Sequence, residues 1–144
     1  MKISTKGRYA LRLMIDIAQH NTGEAVRIKD IAKRQMISEK YLEQIISGLK
    51  KAGYVRSIRG AQGGYLLTMD PAEYTAGMIL RETEGDLAPV SCLEFDAEEC
   101  PRQEDCATYI LWSKLDEAIK GVIDSVTLAD LLEWQQGSSD NYVI

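Results

Sequence analysis

The chain of 144 residues has one histidine, three cysteines and no repeat. No apolar stretch approaches the roughly 18 residues that a membrane-spanning helix requires. A secretory leader is lacking as well, because Lys2, Lys6, Arg8, Arg12 and Asp16 interrupt every apolar run near the start. An odd number of cysteines argues against a secreted disulfide framework. A cytoplasmic location with no membrane contact is therefore expected. The lone His20 lies far in sequence from every cysteine, which leaves a thiol nucleophile without the base and orienting group it needs, so an enzyme is not expected. No Gly-x-x-x-x-Gly-Lys-Ser/Thr loop is present to cradle a phosphate.

What remains is an ordinary folded composition, 45% hydrophobic and 27% charged, on a chain long enough to fold around one core without a disulfide staple. The net charge of −5 hides a division. Residues 1–62 carry 13 Lys and Arg against 5 Asp and Glu, a balance of +8. Residues 63–144 carry 4 against 17, a balance of −13. Such asymmetry suits one end that meets a polyanion and another that does not.

The basic part reads as helix, helix, helix, hairpin. Tyr9, Ala10, Leu13, Met14, Ile17 and Ala18 make one apolar stripe over residues 7–19, and Asn21-Thr22-Gly23 stops it. A short second helix spans Lys29 to Arg34. A third follows Ser38, whose hydroxyl can cap it, and runs to Gly53. Its stripe is Leu42, Ile45, Ile46 and Leu49. Its other side offers Lys40, Glu43, Gln44, Ser47 and Lys51, with tips for base edges and ammonium groups for phosphates. A short helix, a tight turn and a second helix is either a helix-turn-helix or a plain helical hairpin. Two short strands follow, Tyr54–Ile58 and Tyr65–Leu67, joined by Arg59-Gly60-Ala61-Gln62-Gly63-Gly64. Arg56 and Arg59 flank that glycine-rich tip, which favours a wing that reaches a minor groove.

The acidic part divides in two. Pro89 and Pro101 keep residues 85–106 in a loop that holds all three cysteines, as Cys92-x7-Cys100-x5-Cys106. Three soft thiols on one loop can converge on a soft metal centre, or they can be free or redox-active. Glu94, Asp96, Glu98, Glu99, Glu104 and Asp105 surround them, offset only by Arg102, and are expected to raise the thiol pKa values. Ala107 to Val126 then reads as one long helix. Leu111, Leu115, Ala118 and Val122 form a heptad-like seam beside a second stripe of Trp112, Ile119, Ile123 and Val126. Two stripes exceed what one helix needs against its own domain, so a second copy of the chain is the expected partner.

Met1 to Ala10, Ser38 to Gln44 with its Tyr41-Leu42-Glu43-Gln44, Ile58-Arg59-Gly60, Gly63-Gly64-Tyr65 and Thr127-Leu128-Ala129-Asp130-Leu131 resemble the Rrf-two family of winged-helix bacterial regulators (IscR/CymR/NsrR type). The resemblance spans most of the chain. It implies a mainly α fold with a small two-stranded β wing: a winged helix-turn-helix over residues 1–84, the cysteine loop over 85–106, and a dimerisation helix with a C-terminal segment over 107–144. It implies a homodimeric repressor on a palindromic duplex operator. Ser38, Lys40, Tyr41, Glu43 and Gln44 would lie at the major groove, with Arg56, Arg59 and Gly60 on the wing. It further implies that Cys92, Cys100 and Cys106 hold an iron–sulfur cluster, 2Fe-2S by analogy, which sets the affinity for DNA. The fourth ligand is open. Tyr109 stands where cluster-binding members have a histidine, and Arg8 where the nitric-oxide sensor has an aspartate. Glu104, Asp105, a partner-chain group or an exogenous molecule are the alternatives. The same family also implies a metal-free alternative, a regulator of cysteine or sulfur metabolism that uses a thiol switch or docks an enzyme partner.

Overall fold

The computed structural model describes residues 2–142, with side chains described as far as residue 137. Helices α1 (Thr5–Gln19), α2 (Ile28–Gln35) and α3 (Glu39–Lys51) precede strands β1 (Val55–Ile58) and β2 (Gly64–Leu67). Then come α4 (Ala76–Glu84), two single 3-10 turns in the cysteine loop, α5 (Ala107–Ile123) and α6 (Leu128–Tyr142). The strands pair antiparallel, with Val55 opposite Leu67 and Ile58 opposite Gly64. Val26 adds an isolated bridge to Tyr65, so the hairpin is attached to the segment before α2.

Helices α1, α3, α4 and α6 begin where a side chain accepts an orphan amide proton. Ser38 Oγ accepts from Tyr41 N–H at 3.1 Å, and Ser4 Oγ accepts from Gly7 N–H at 3.2 Å. The Ser4 cap starts α1 at Thr5, two residues before the span 7–19 expected from the apolar stripe. Thr127 and Asp130 cap α6 reciprocally: Thr127 Oγ1 accepts from Asp130 N–H, and Asp130 Oδ2 accepts from Thr127 N–H. The apolar stripe of α5 suggests a helix to Val126, but the helix ends at Ile123. Val126 and Thr127 are instead drawn into backbone pairing. Ala76 N–H donates to Val126 O at 2.8 Å, and Leu128 N–H donates to Tyr74 O at 2.9 Å.

One core joins α1 (Leu13, Met14, Ile17), α2 (Ile31), α3 (Leu42, Ile45, Ile46, Leu49), the wing base (Val55, Leu67), Tyr74, Ile79 and Leu128. Each fully buried Leu or Ile contributes about 1.5–3 kcal/mol. Leu128 is completely buried, so α6 closes the same body that carries the helix-turn-helix rather than forming a separate tail. Tyr74, also fully buried, satisfies its hydroxyl by donating to Tyr54 O at 2.6 Å and accepting from Thr68 and Met69 N–H. Asp16 is buried at 1% exposure. It accepts from Arg34 Nη2 at 2.7 Å and Nε at 3.1 Å, and from Gln35 Nε2 at 2.8 Å, which ties α1 to α2.

Candidate nucleic-acid interface and cysteine loop

The α2–α3 turn is built on Met36, which takes the left-handed conformation at φ 57°. Arg12 steadies it from α1, donating from Nη2 to Gln35 O at 2.5 Å and from Nε to Gln35 Oε1 at 3.1 Å. With the apolar stripe of α3 buried, Lys40, Glu43, Gln44, Ser47 and Lys51 are left exposed on its outer side. Ser38 is exposed at the helix start with its hydroxyl engaged as the cap. Tyr41 is the exception among the expected groove residues. Its ring is half-buried and meets Tyr9 edge-on at 5.8 Å, so part of it serves the core.

The wing hangs directly from α3, with Tyr54 N–H donating to Leu49 O at 3.0 Å. Arg56 on β1, and Arg59 and Gly60 at the tip, are exposed. Gly60 has φ 105°, a conformation that a side chain would strain. The tip is braced by Arg27, which donates to Ala61 O across 34 residues. Nothing in the local sequence marks Arg27 for that role, since its acceptor is a distant carbonyl. Along α5, Ile110 (60% exposed), Leu111 (54%), Leu115 (42%) and Val122 (61%) form an uncovered apolar strip. Trp112, Ile119 and Ile123 on the adjoining side are half-buried. Between them Asp116 is buried and paired with Lys120 Nζ at 2.8 Å.

Cys92 lies half-buried in the Ser91–Leu93 turn, Cys100 is exposed, and Cys106 is half-buried as the N-cap of α5. The expected rise in thiol pKa does not hold for Cys106. A hydrogen bond with Thr108 (Sγ to Oγ1, 3.2 Å) and the backbone N–H groups of Tyr109 and Thr108 hold it below the usual thiol range. Donors at a helix start outweigh the carboxylates around it, which point into solvent where water screens them. The three thiols suit an iron–sulfur centre in kind. Among the described residues, no three His, Cys, Asp or Glu side chains are grouped to hold a metal. His20 faces Asp16, with Nδ1 at 2.9 Å from Asp16 O, and Tyr109 OH accepts from Gln103 Nε2 at 3.0 Å. No described helix is long and apolar enough to cross a membrane.

The profile of the Rrf2 family, described as "Iron-dependent Transcriptional regulator", matches residues 3–134. The HTH-type transcriptional regulator CymR of Bacillus subtilis (strain 168) is 45% identical over 143 residues, 99% of this chain and 98% of its own. The solved structure of B. subtilis CymR, described as the global cysteine regulator, matches with a TM-score of 0.77 at 45% identity, over 93% of this chain and 98% of that one. T. potens IscR matches with a TM-score of 0.76 at 43% identity, over 96% and 90%. These relatives are regulators, not enzymes. The six-helix architecture, its wing and these matches agree: the chain belongs to the Rrf2 family of winged-helix transcriptional regulators.

Proposed function

We propose that this chain is a cytoplasmic homodimeric repressor that binds a palindromic operator, and that its affinity is set at the cysteine loop. The exposed outer side of α3 beside an arginine-tipped wing carries this reading. Lys40, Glu43 and Gln44 would address base edges and phosphates in the major groove, with Ser38 and Tyr41 at the helix start. Arg56, Arg59 and Gly60 would approach the minor groove. The uncovered strip of α5 would meet its equivalent on a second copy, which sets two recognition helices on two half-sites. The units behind this reading are residues 1–84 for DNA, 85–106 for sensing and 107–144 for pairing.

Cys92, Cys100 and Cys106 would hold an iron–sulfur cluster, 2Fe-2S by analogy with IscR. When bound, such a group supplies a centre whose presence and charge follow iron and oxidants. The chain's own part is to offer three thiols, with Cys106 already biased toward thiolate. A second, metal-free reading is favoured by the ungathered thiols and by the likeness to CymR. In it Cys100 closes a disulfide with Cys92 or Cys106, the pair's two protons and two electrons passing to a peroxide that leaves as two waters. An enzyme partner of sulfur metabolism docked on the loop is the remaining form of that reading.

Purification without oxygen separates the readings. Iron and sulfide in the protein, and a gel-shift midpoint that moves on their removal, support the cluster. A colourless protein that cannot be reconstituted, with a Cys92–Cys100 or Cys100–Cys106 disulfide after peroxide, supports the switch. Failure to bind any genomic fragment in either state overturns both.

A further inference from the structure

We propose that Asp86 positions the cysteine loop and that, with Glu84 two residues earlier, it forms a joint through which chemistry at Cys92 reaches the first turn of α1. This rests on the reading of the loop as the regulatory element.

The joint has two ends. On the first, Glu84 Oε1 accepts from Ser4 N–H at 3.1 Å and Ser4 Oγ at 2.5 Å. Ser4 caps α1, and a Cβ at Gly7 would collide with that same Oε1, so the carboxylate lies directly against the α1 backbone. Further along, α1 supplies Tyr9 against Tyr41 of α3, and Arg12 against the helix-turn-helix turn. On the second end, Asp86 Oδ1 accepts from Ala88 N–H at 2.8 Å and Oδ2 from Phe95 N–H at 2.7 Å. Those two bonds close residues 86–95 into a ring that contains Cys92. Cys100 and Cys106 lie beyond it.

Apolar packing holds only the near side of this ring, where Leu87 is buried and Ala88, Pro89, Val90 and Leu93 are half-buried, and leaves its closing end open. The Phe95 side chain is 100% exposed. Leu93 and Phe95 border an open cleft of about 360 Å³ shared with Arg81, Gly85, Asp86 and Lys120. Arg81 is engaged by Asp124 and Lys120 by Asp116, so neither cation takes the oxygens of Asp86. The Phe95 and Ala88 N–H groups also keep the Asp86 carboxyl below its ordinary range, ionised and accepting at neutral pH. A bond from Cys92 to Cys100 or Cys106, whether through a shared metal centre or a disulfide, would tie the ring to the rest of the loop, and Asp86 is where that tie would meet α4.

The test uses the full-length reduced chain and site-resolved amide exchange. Asp86→Ala should speed exchange at Ala88 and Phe95 at least tenfold, with α3 amides unchanged as the sign of a folded protein. In a Cys100→Ser, Cys106→Ser background, alkylating Cys92 with iodoacetamide should speed exchange at the Gly7 amide several-fold. Adding Asp86→Ala should abolish that response. Adding Glu84→Gln instead should also abolish it, yet leave Phe95 protected. Unchanged exchange at Phe95 in Asp86→Ala, or a Gly7 amide indifferent to alkylation, overturns the joint. Operator affinity is read separately, on the native chain and on Asp86→Ala, before and after peroxide and after reconstitution with iron and sulfide. Affinity of the native chain indifferent to all of these, beside the expected exchange pattern, overturns the regulatory reading and leaves the joint standing. Affinity that responds equally with and without Asp86→Ala overturns the joint alone.

Discussion

Asp16 shows what one residue can decide. A carboxylate removed from water is tolerated only when its oxygens are fully paired, and here Arg34 and Gln35 supply the donors. Asp16→Ala strands Arg34 and loosens α1 from the helix-turn-helix. Because Arg34 is 36% exposed and water can take over its donors, the loss should be about 1–3 kcal/mol in equilibrium unfolding by denaturant. At the interface, two exposed side chains have separable expected effects. Arg59→Ala should lower operator affinity for every sequence and flatten the log K against log salt slope by about one unit. Gln44→Ala should instead relax base preference at one position per half-site, by about 1–3 kcal/mol in a selection over randomised operators. Equal affinity, slope and preference in both variants would remove the groove assignment. At the sulfur end, Thr108→Ala removes the largest cause of the depressed Cys106 pKa. Alkylation of Cys106 should then need a higher pH, read as an alkaline shift of its pH–rate profile by mass spectrometry.

Elements differ in how openly the sequence announces them. The first three helices and the wing are legible because their signals are local: a serine cap, an unbroken apolar stripe, and glycines between two alternating runs. α4 leaves little trace, since its cap is Thr75 answered by the sulfur of Met78 rather than by Glu or Gln. The end of α5 is misread because its stripe continues through Val126, while the pairing that stops it comes from residues 74–76, remote in sequence. The same remoteness hides the roles of Asp16, Arg27 and Tyr74, each completed by a partner that no local pattern specifies. The apolar strip of α5, by contrast, is visible in the sequence and stays uncovered in the fold. Leu115→Glu would place a charge at the centre of that strip. Sedimentation equilibrium should show a monomer, with the circular dichroism spectrum unchanged and operator binding weakened well beyond twofold.

At the scale of the molecule, the basic and acidic parts share a single core, with α6 returning to close the body begun by α1. Attachment of α5 to that body depends partly on Arg81, which reaches both oxygens of Asp124 at 2.6 and 2.9 Å. The Arg81 hydrogen bond lowers the Asp124 pKa below the ordinary 3.8. A depressed carboxyl adds stability above its unfolded pKa and loses it as pH falls through the folded one. Both partners are about two-fifths exposed, so water limits the pair to about 1 kcal/mol or less. Denaturant curves for the native chain and Asp124→Asn should therefore separate at neutral pH and converge below pH 3.8. A gap that persists in acid would mean that the pair acts through packing instead.

The bridge that pairs Thr75 with Thr127 grips α5 just beyond its C-terminal end, beside the core residues Tyr74 and Leu128. The opposite end begins at Cys106, with the 17 residues of the helix between. Held that way, α5 is a lever about 25 Å long whose fulcrum is the protein interior and whose far tip is a thiol. A tilt of about 5° at the fulcrum sweeps the tip through about 2 Å, on the order of one metal–sulfur bond length.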